Sequence, residues 1–264
     1  MRLVHPFPSF LVAGLTVALV RVADARAGAG LYAQLGLGML LFQFAIGIAN
    51  DVVDVEADAA AKPWKAIPRG VVSRRTATLG AAGCAGGGLL VTSTLETGPW
   101  LVGLAGLACG LSYDVYFKRT PSSWLPLAIA LPLVPVWVFW AAGAWRGMLW
   151  WIFPLGAMLG LALHLANQAP DVAADRTVGV RGAAQRVGEF RARGIAVALF
   201  GVASTVAVVV LTFESRGAGS LAAVNAVFTA LLAPRATALF GRDGLFGLLA
   251  GSTVVLAVVF LGAV

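Results

Sequence analysis

The chain has 264 residues, 59% of them hydrophobic and only 12% charged, with a net charge of +7 and a mean hydropathy of +0.88. A water-soluble domain carries about a quarter of its residues as charges, so composition excludes a soluble globular protein. The positive surplus does not indicate nucleic acid, because the basic residues cluster in short segments between apolar runs, where membrane topology places them.

Apolar runs of about 17 residues or more recur from end to end, the length of a membrane-crossing helix. They are continuous rather than alternating, which argues against a transmembrane barrel. The expected fold is therefore an all-α polytopic membrane bundle of about nine transmembrane helices. The spans fall near residues 7–22, 31–49, 76–95, 98–114, 123–143, 148–166, 191–212, 218–240 and 243–263.

Arg2, the stretch Phe7 to Val20 and Ala23-Asp24-Ala25 loosely imitate a cleavable secretory signal. Pro6 and Pro8 and the weak basic region favour keeping this segment as the first helix. The second run ends in Asn50-Asp51-Val52-Val53-Asp54-Val55-Glu56-Ala57-Asp58, followed by Lys62, Lys65 and Arg69. On a helix, Asn50, Asp54 and Asp58 fall within roughly 80° of one another, with Asp51 on the adjoining side. Carboxylates gathered on one face of a membrane helix repel unless a cation sits among them. Carboxylate oxygens with an amide oxygen suit a hard divalent cation such as Mg²⁺, and the basic residues that follow suit an anion sharing it. The stretch reads as a site for a metal-bound diphosphate at a membrane face.

A very short turn at Glu96-Thr97-Gly98-Pro99 joins spans three and four. Between spans four and five lies Ser112-Tyr113-Asp114-Val115-Tyr116-Phe117-Lys118-Arg119, a Tyr-Asp pair beside a Lys-Arg pair that suits a phosphate and an acceptor. Alone it would pass as a juxtamembrane anchor. Trp137, Trp140, Trp145, Trp150 and Trp151 bracket the next turn as an interfacial belt would. The GxxxG spacings Gly106/Gly110 and Gly156/Gly160 predict close helix packing within the chain. Cys84 and Cys109 lack CxxC spacing and indicate neither a disulfide framework nor a zinc site.

Span six ends in a second acidic group, Asn167-Gln168-Ala169-Pro170-Asp171-Val172-Ala173-Ala174-Asp175-Arg176. Asp171 and Asp175 are four residues apart, and Asn167 precedes Asp171 by the same spacing. Spans two and six end on the same side, so both acidic groups are expected to face one cavity and hold two or more Mg²⁺ ions around one diphosphate. His164 reads as a packed or hydrogen-bonded residue rather than a ligand. With nine spans, all of the 19 basic residues except Arg21, Arg26, Arg146 and Arg216 fall on that side. The positive-inside rule then places the motif loops in the cytoplasm of a multi-pass cell-membrane protein.

These motifs resemble those of the UbiA family of intramembrane prenyltransferases: Asn50-Asp51-x-x-Asp54-x-x-x-Asp58 is similar to its NDxxDxxxD, Asp171-x-x-x-Asp175 to its DxxxD, and Tyr113 through Lys118-Arg119 to its YxxxxKR-like loop. The resemblance covers essentially the whole chain, 1–264, as a single domain. It implies a nine-helix bundle around a central cavity and an enzyme that moves a prenyl group from a prenyl diphosphate to a small-molecule or lipid acceptor. By the same resemblance Asn50, Asp54, Asp58, Asp171 and Asp175 would bind Mg²⁺ and diphosphate, with Asp51 assisting. Lys62, Lys118 and Arg119 would hold phosphate oxygens, with Arg69 and Arg176 as further candidates and Asn167 on the diphosphate side. Tyr113 would lie near the reacting carbon. Asp114 stands where many members carry Ser, which leaves the acceptor open (aromatic, lipid glycerol or sugar phosphate). Its place beside Tyr113 suggests that it orients or deprotonates that acceptor.

Two other readings compete. The same scaffold supports cyclisation of the prenyl chain without an acceptor. An ion-coupled transporter would also hold acids in the membrane, but it favours acids near the midplane and matching halves. Here the acids lie at span ends and no internal repeat is evident.

Overall fold

The computed structural model describes residues 6–173 and 181–263, and every regular element among them is helical. In chain order these are α1 (Pro6–Ala23), α2 (Ala29–Val53), α3 (Val55–Ala61), α4 (Arg74–Val91), α5 (Thr97–Val115), α6 (Leu125–Ala141), α7 (Ile152–Gln168), α8 (Ala183–Val187), α9 (Glu189–Glu214), α10 (Arg216–Leu232), α11 (Ala236–Phe240) and α12 (Gly244–Ala263). Among the described residues nine of these helices are long, and each falls on one of the expected runs. Five helical segments are long and apolar enough to cross a membrane: Ala29–Val53, Gly147–Asp171, Glu189–Glu214, Arg216–Phe240 and Gly244–Ala263. Helices α4 and α5 are not among them: both are rich in glycine, α4 opens on Arg74-Arg75, and α5 carries Ser112, Tyr113 and Asp114 in its last turn.

Local chemistry sets the helix ends. Pro6 opens α1, and Pro99 lies in the first turn of α5, where its missing N–H costs nothing. The Ser73 hydroxyl accepts from the Thr76 amide at 3.0 Å and caps α4, and Ser215 caps α10 in the same way. Gly188, with φ of 87°, passes the chain directly from α8 into α9.

The chain forms two compact units. In the first (Met1–Tyr116 with Leu133–Trp145), α2 packs against α1, α4 and α5. Lipid tails are as apolar as leucine, so such helices associate through close fit and small residues. A Cβ on Gly88 of α4 would lie 2.6 Å from the Phe42 ring, and one on Gly110 of α5 would overlap Ile46. The missing side chains let α4 and α5 close directly onto α2. Trp137 does not join an interfacial belt: it is buried against Phe42, with ring centroids 6.1 Å apart, whereas Trp140 is exposed.

In the second unit (Phe117–Pro132 with Arg146–Val264), α7 packs against α9 and α12, and α10 against α9 and α12. The expected glycine contact forms here too. A Cβ on Gly160 of α7 would come within 2.7 Å of the Leu127 carbonyl, and one on Gly156 within 2.8 Å of Pro132. By contrast, a Cβ on Gly106 would meet nothing. Buried polar groups hold α10 to α12: Asn225 Nδ2 donates to the Ser252 carbonyl at 3.1 Å, and the Thr229 and Ser252 hydroxyls lie 2.7 Å apart. In an apolar medium such pairs satisfy groups that have few other partners.

Candidate active site

In the first unit, α2 continues past the apolar run, so Asn50 and Asp51 lie on its last turn. Asp54 (φ −88°, ψ 6°) breaks the helix, and α3 restarts at Val55. The turn-to-turn hydrogen bonds nevertheless carry on across the break. The Asp54 amide donates to the Asn50 carbonyl at 3.0 Å, that of Asp58 to Asp54 at 2.7 Å, and that of Lys62 to Asp58 at 2.7 Å. Asn50, Asp54, Asp58 and Lys62 are thus stacked one turn above another, as their spacing required.

Three residues of the first motif, Asn50, Asp51 and Asp58, divide between two partners. Asp51 and Asp58 are seven residues apart, nearly two full turns, and so share a face. Lys65 closes that face: its Nζ lies 2.7 Å from Asp51 Oδ1 and 2.6 Å from Asp58 Oδ2, and both aspartate side chains are under a tenth exposed. The turn that carries Lys65 is fixed by Ala66 and Ile67, which are buried, Ile67 in a small apolar cluster with Ile48 and Ala77. Burial disfavours the Lys65 ammonium, but the hydrogen bonds and charges of Asp51 and Asp58 outweigh it and raise its pKa above the usual 10.5. The remaining amide, Asn50 Nδ2, donates to Asp114 Oδ1 on α5 at 2.7 Å. Asp114 is buried, Tyr113 and Asp54 are half-buried, and Lys62 and Arg69 are exposed.

Sequence alone sets Lys65 with Lys62 and Arg69 among the basic residues suited to an anion, whereas the structure pairs it with Asp51 and Asp58. Position 65 lies seven residues beyond Asp58 and fourteen beyond Asp51, a spacing that would share one face of a continuous helix, but α3 ends at Ala61, so it is the fold of the loop that makes the contact. The ammonium between two buried carboxylates is also a test of donor chemistry. This face is built to hold positive charge, and the stacked oxygens of Asn50 and Asp54 next to it fit a hard divalent cation.

In the second unit, Lys118 and Arg119 lie on a 3₁₀ turn, Phe117–Arg119, with Lys118 half-buried and Arg119 exposed. Helix α7 ends at Gln168 and tightens into a 3₁₀ turn, Ala169–Asp171. The tightening rotates Asp171 away from the helical register assumed between it and Asn167. Both residues are exposed. Asp171 forms an ion pair with Arg242, whose Nη2 also donates to the Pro170 carbonyl at 2.8 Å. Arg242 follows Gly241, whose φ of 83° makes the turn into α12. Arg242 is a site residue the motifs did not indicate. Its only signal was a basic residue in a loop assigned to the motif side.

Seven residues before Asp171, buried His164 shares a 2.9 Å hydrogen bond with the Ser123 hydroxyl, which also accepts from the Ala183 amide at 3.1 Å. Ser123 thus ties α7 to the start of α8. Asp175 and Arg176 lie outside the described residues. Among the described residues, no three His, Cys, Asp or Glu side chains come together as a metal-binding group.

The family model of the UbiA prenyltransferase family matches residues 7–245. No curated protein matches the chain. Among solved structures, a UbiA homologue from Aeropyrum pernix K1 is 20% identical, with a TM-score of 0.71 over 97% of each chain. A UbiA homologue from Archaeoglobus fulgidus bound to DMAPP and Mg²⁺ is 16% identical, with a TM-score of 0.75 over 99% of this chain and 96% of its own. A structure described for digeranylgeranylglyceryl phosphate synthase is 15% identical, with a TM-score of 0.73 over 99% and 96%. These likenesses show the shared fold, and the family match, which spans nearly the whole chain, shows the lineage. The chain is a multi-pass helical membrane protein that belongs to the UbiA prenyltransferase family.

Proposed function

We propose that this protein is an intramembrane prenyltransferase that moves a prenyl group from a prenyl diphosphate to an acceptor. The observation that carries this reading is the unbroken stack of Asn50, Asp54, Asp58 and Lys62, within a chain matched by the family model from residue 7 to 245. Support also comes from Archaeoglobus homologues whose structures contain GPP or DMAPP together with Mg²⁺.

In this reading, in which residues 1–264 act as a single domain, Asn50, Asp54 and Asp58 with Asp171 and Asp175 hold Mg²⁺ and Asp51 assists. Bound Mg²⁺ would act as a Lewis acid that offsets the charge gathering on the departing diphosphate. Lys62, Lys118 and Arg119 orient the phosphate oxygens, with Arg69, Arg176 and Asn167 contributing at the edge. Breaking the allylic C–O bond leaves carbocation character at C1. Tyr113 is positioned beside that carbon, and the apolar helices keep bulk water from quenching it. The acceptor nucleophile then forms a bond to C1 and loses its proton.

Incubating the purified protein with Mg²⁺, labelled prenyl diphosphates of several lengths and membrane extract, followed by mass spectrometry, tests the reading. An adduct containing acceptor and prenyl chain is expected. A prenyl hydrocarbon or terpene alcohol would instead establish the cyclase alternative, and consumption of no prenyl diphosphate would contradict both.

We further propose nine spans with the motif loops in the cytoplasm, supported by the distribution of the basic residues. In vesicles of known orientation, a cysteine introduced by Trp64→Cys should react with an impermeant maleimide only from the cytoplasmic face. One introduced by Gly147→Cys should react only from the other face. Labelling of both from one face would overturn this topology.

A further inference from the structure

Asn50 and Asp114 are 64 residues apart in sequence, yet their side chains meet at 2.7 Å. The packing one turn earlier on each helix explains why. Ile46 precedes Asn50 by four residues on α2, and Gly110 precedes Asp114 by four on α5. Ile46 sits where a Cβ on Gly110 would be, so the helices touch there and the next turn of each faces the other. Asp114 is buried at this contact, with 5% of its surface exposed.

The donor and acceptor roles are fixed by chemistry. An ionised carboxylate only accepts hydrogen bonds, whereas an amide has a donating nitrogen and an accepting oxygen on the same carbon. Asn50 must therefore turn its nitrogen toward Asp114, which sends Oδ1 to the opposite side of the Cβ–Cγ bond. Reversing the amide would set its oxygen against the Asp114 oxygen, lone pair facing lone pair. Only Oδ1 can ligate a hard cation. An NH₂ group presented in its place would repel one.

We infer that Asp114 is a positioning residue: it locks the Asn50 amide so that Oδ1, rather than Nδ2, is presented to a divalent cation on the first acidic motif. This rests on the metal-binding role proposed above, and it gives Asp114 a task other than contact with the acceptor. Groups that orient a metal ligand from behind typically change metal affinity by about 10- to 100-fold when altered.

The test is Mn²⁺ binding to the purified full-length protein, read by the EPR signal of free Mn²⁺, with thermal unfolding followed alongside. In Asp114→Asn the neighbour can both donate and accept, so Asn50 loses its preferred orientation. Mn²⁺ affinity should fall by about 10-fold or more. Asn50→Asp alone places two carboxylates in contact and should also bind poorly. Combining Asn50→Asp with Asp114→Asn exchanges the partners: the new amide at position 114 donates to the new carboxylate at position 50, whose second oxygen faces outward. Mn²⁺ affinity should then recover close to the wild-type value.

A merely structural contact would restore the unfolding temperature in the exchange without moving the Mn²⁺ constant in the single variants. Wild-type affinity in Asp114→Asn would sink the inference while leaving the metal reading intact. The same holds if the exchange binds no better than the single variants. Should a single variant fail to fold, the exchange decides alone, since it keeps both the net charge and the hydrogen bond. Absence of Mn²⁺ binding by the wild-type protein would overturn the metal reading and this inference together.

Discussion

Asp54→Ala and Asp171→Ala should each lower kcat by about 10³-fold or more, the scale of losing a group that stabilises charge developing in a transition state. Their effects on folding should be small. Asp171 is exposed, and its ion pair with Arg242 lies at the surface, where such pairs add about 0–1 kcal/mol. Asp54 sits at the break between α2 and α3, and its part in the turn-to-turn bonding is made by backbone atoms that alanine keeps. The measurement is turnover at saturating Mg²⁺ and prenyl diphosphate, with helical content by circular dichroism as the control. Full activity in either variant would contradict the assignment of that residue to the metal site.

Lys65→Met is expected to do the opposite kind of damage, to the fold before the chemistry. It leaves Asp51 and Asp58 buried together with no ammonium between them. Removing one partner from a buried charged group costs about 3–5 kcal/mol. The lost stability should reappear in the triple variant Asp51→Asn, Asp58→Asn, Lys65→Met, in which no carboxylate remains to be balanced. Acid should also repair the single variant. Without the ammonium, burial disfavours the ionised forms of the two acids, so the variant should gain stability as pH falls. In the wild-type protein the Lys65 pKa is raised above 10.5. Its contribution is therefore complete below that value and is lost as pH rises through the raised one. Unfolding of the Lys65→Met variant at pH 5 and pH 8 checks the first sign, and unfolding of the wild-type protein at pH 8 and above pH 10.5 checks the second. A Lys65→Met protein as stable as wild type at pH 8 would show that the two acids do not depend on this lysine.

The length of the apolar runs was enough to place the long helices, five of which lie in segments long and apolar enough to cross a membrane. The ends of those segments were less legible. The apolar run of α2 stops near residue 49, but the helix continues to Val53, since backbone hydrogen bonding does not stop where hydrophobicity does. The stack from Asn50 to Lys62 was readable because all its members lie on one local repeat. The partners of the two acidic motifs were not, because each contact is made by the tertiary fold, even where the spacing, as for Asp51, Asp58 and Lys65, is helical. Lys65 reaches back from a folded loop, Asp114 arrives on α5 through the Ile46–Gly110 approach, and Arg242 stands 71 residues beyond Asp171. Trp137 shows the converse error. Its place among neighbouring tryptophans suggests an interfacial residue, whereas the glycine-lined helices of the first unit leave room to bury it.

The hydrogen-bonded stack across Asp54 also limits how this region can change in length over evolutionary time. One residue gained or lost between Asn50 and Lys62 would turn everything downstream by about 100°, separating acids that now share a side. Only changes of about a whole turn would keep them aligned. The stretch beyond Lys62 faces no such rule until Lys65, whose reach to both aspartates fixes the loop from the other end. Insertions and deletions in related chains should therefore be scarce from Asn50 to Lys65 and more common after Gly70.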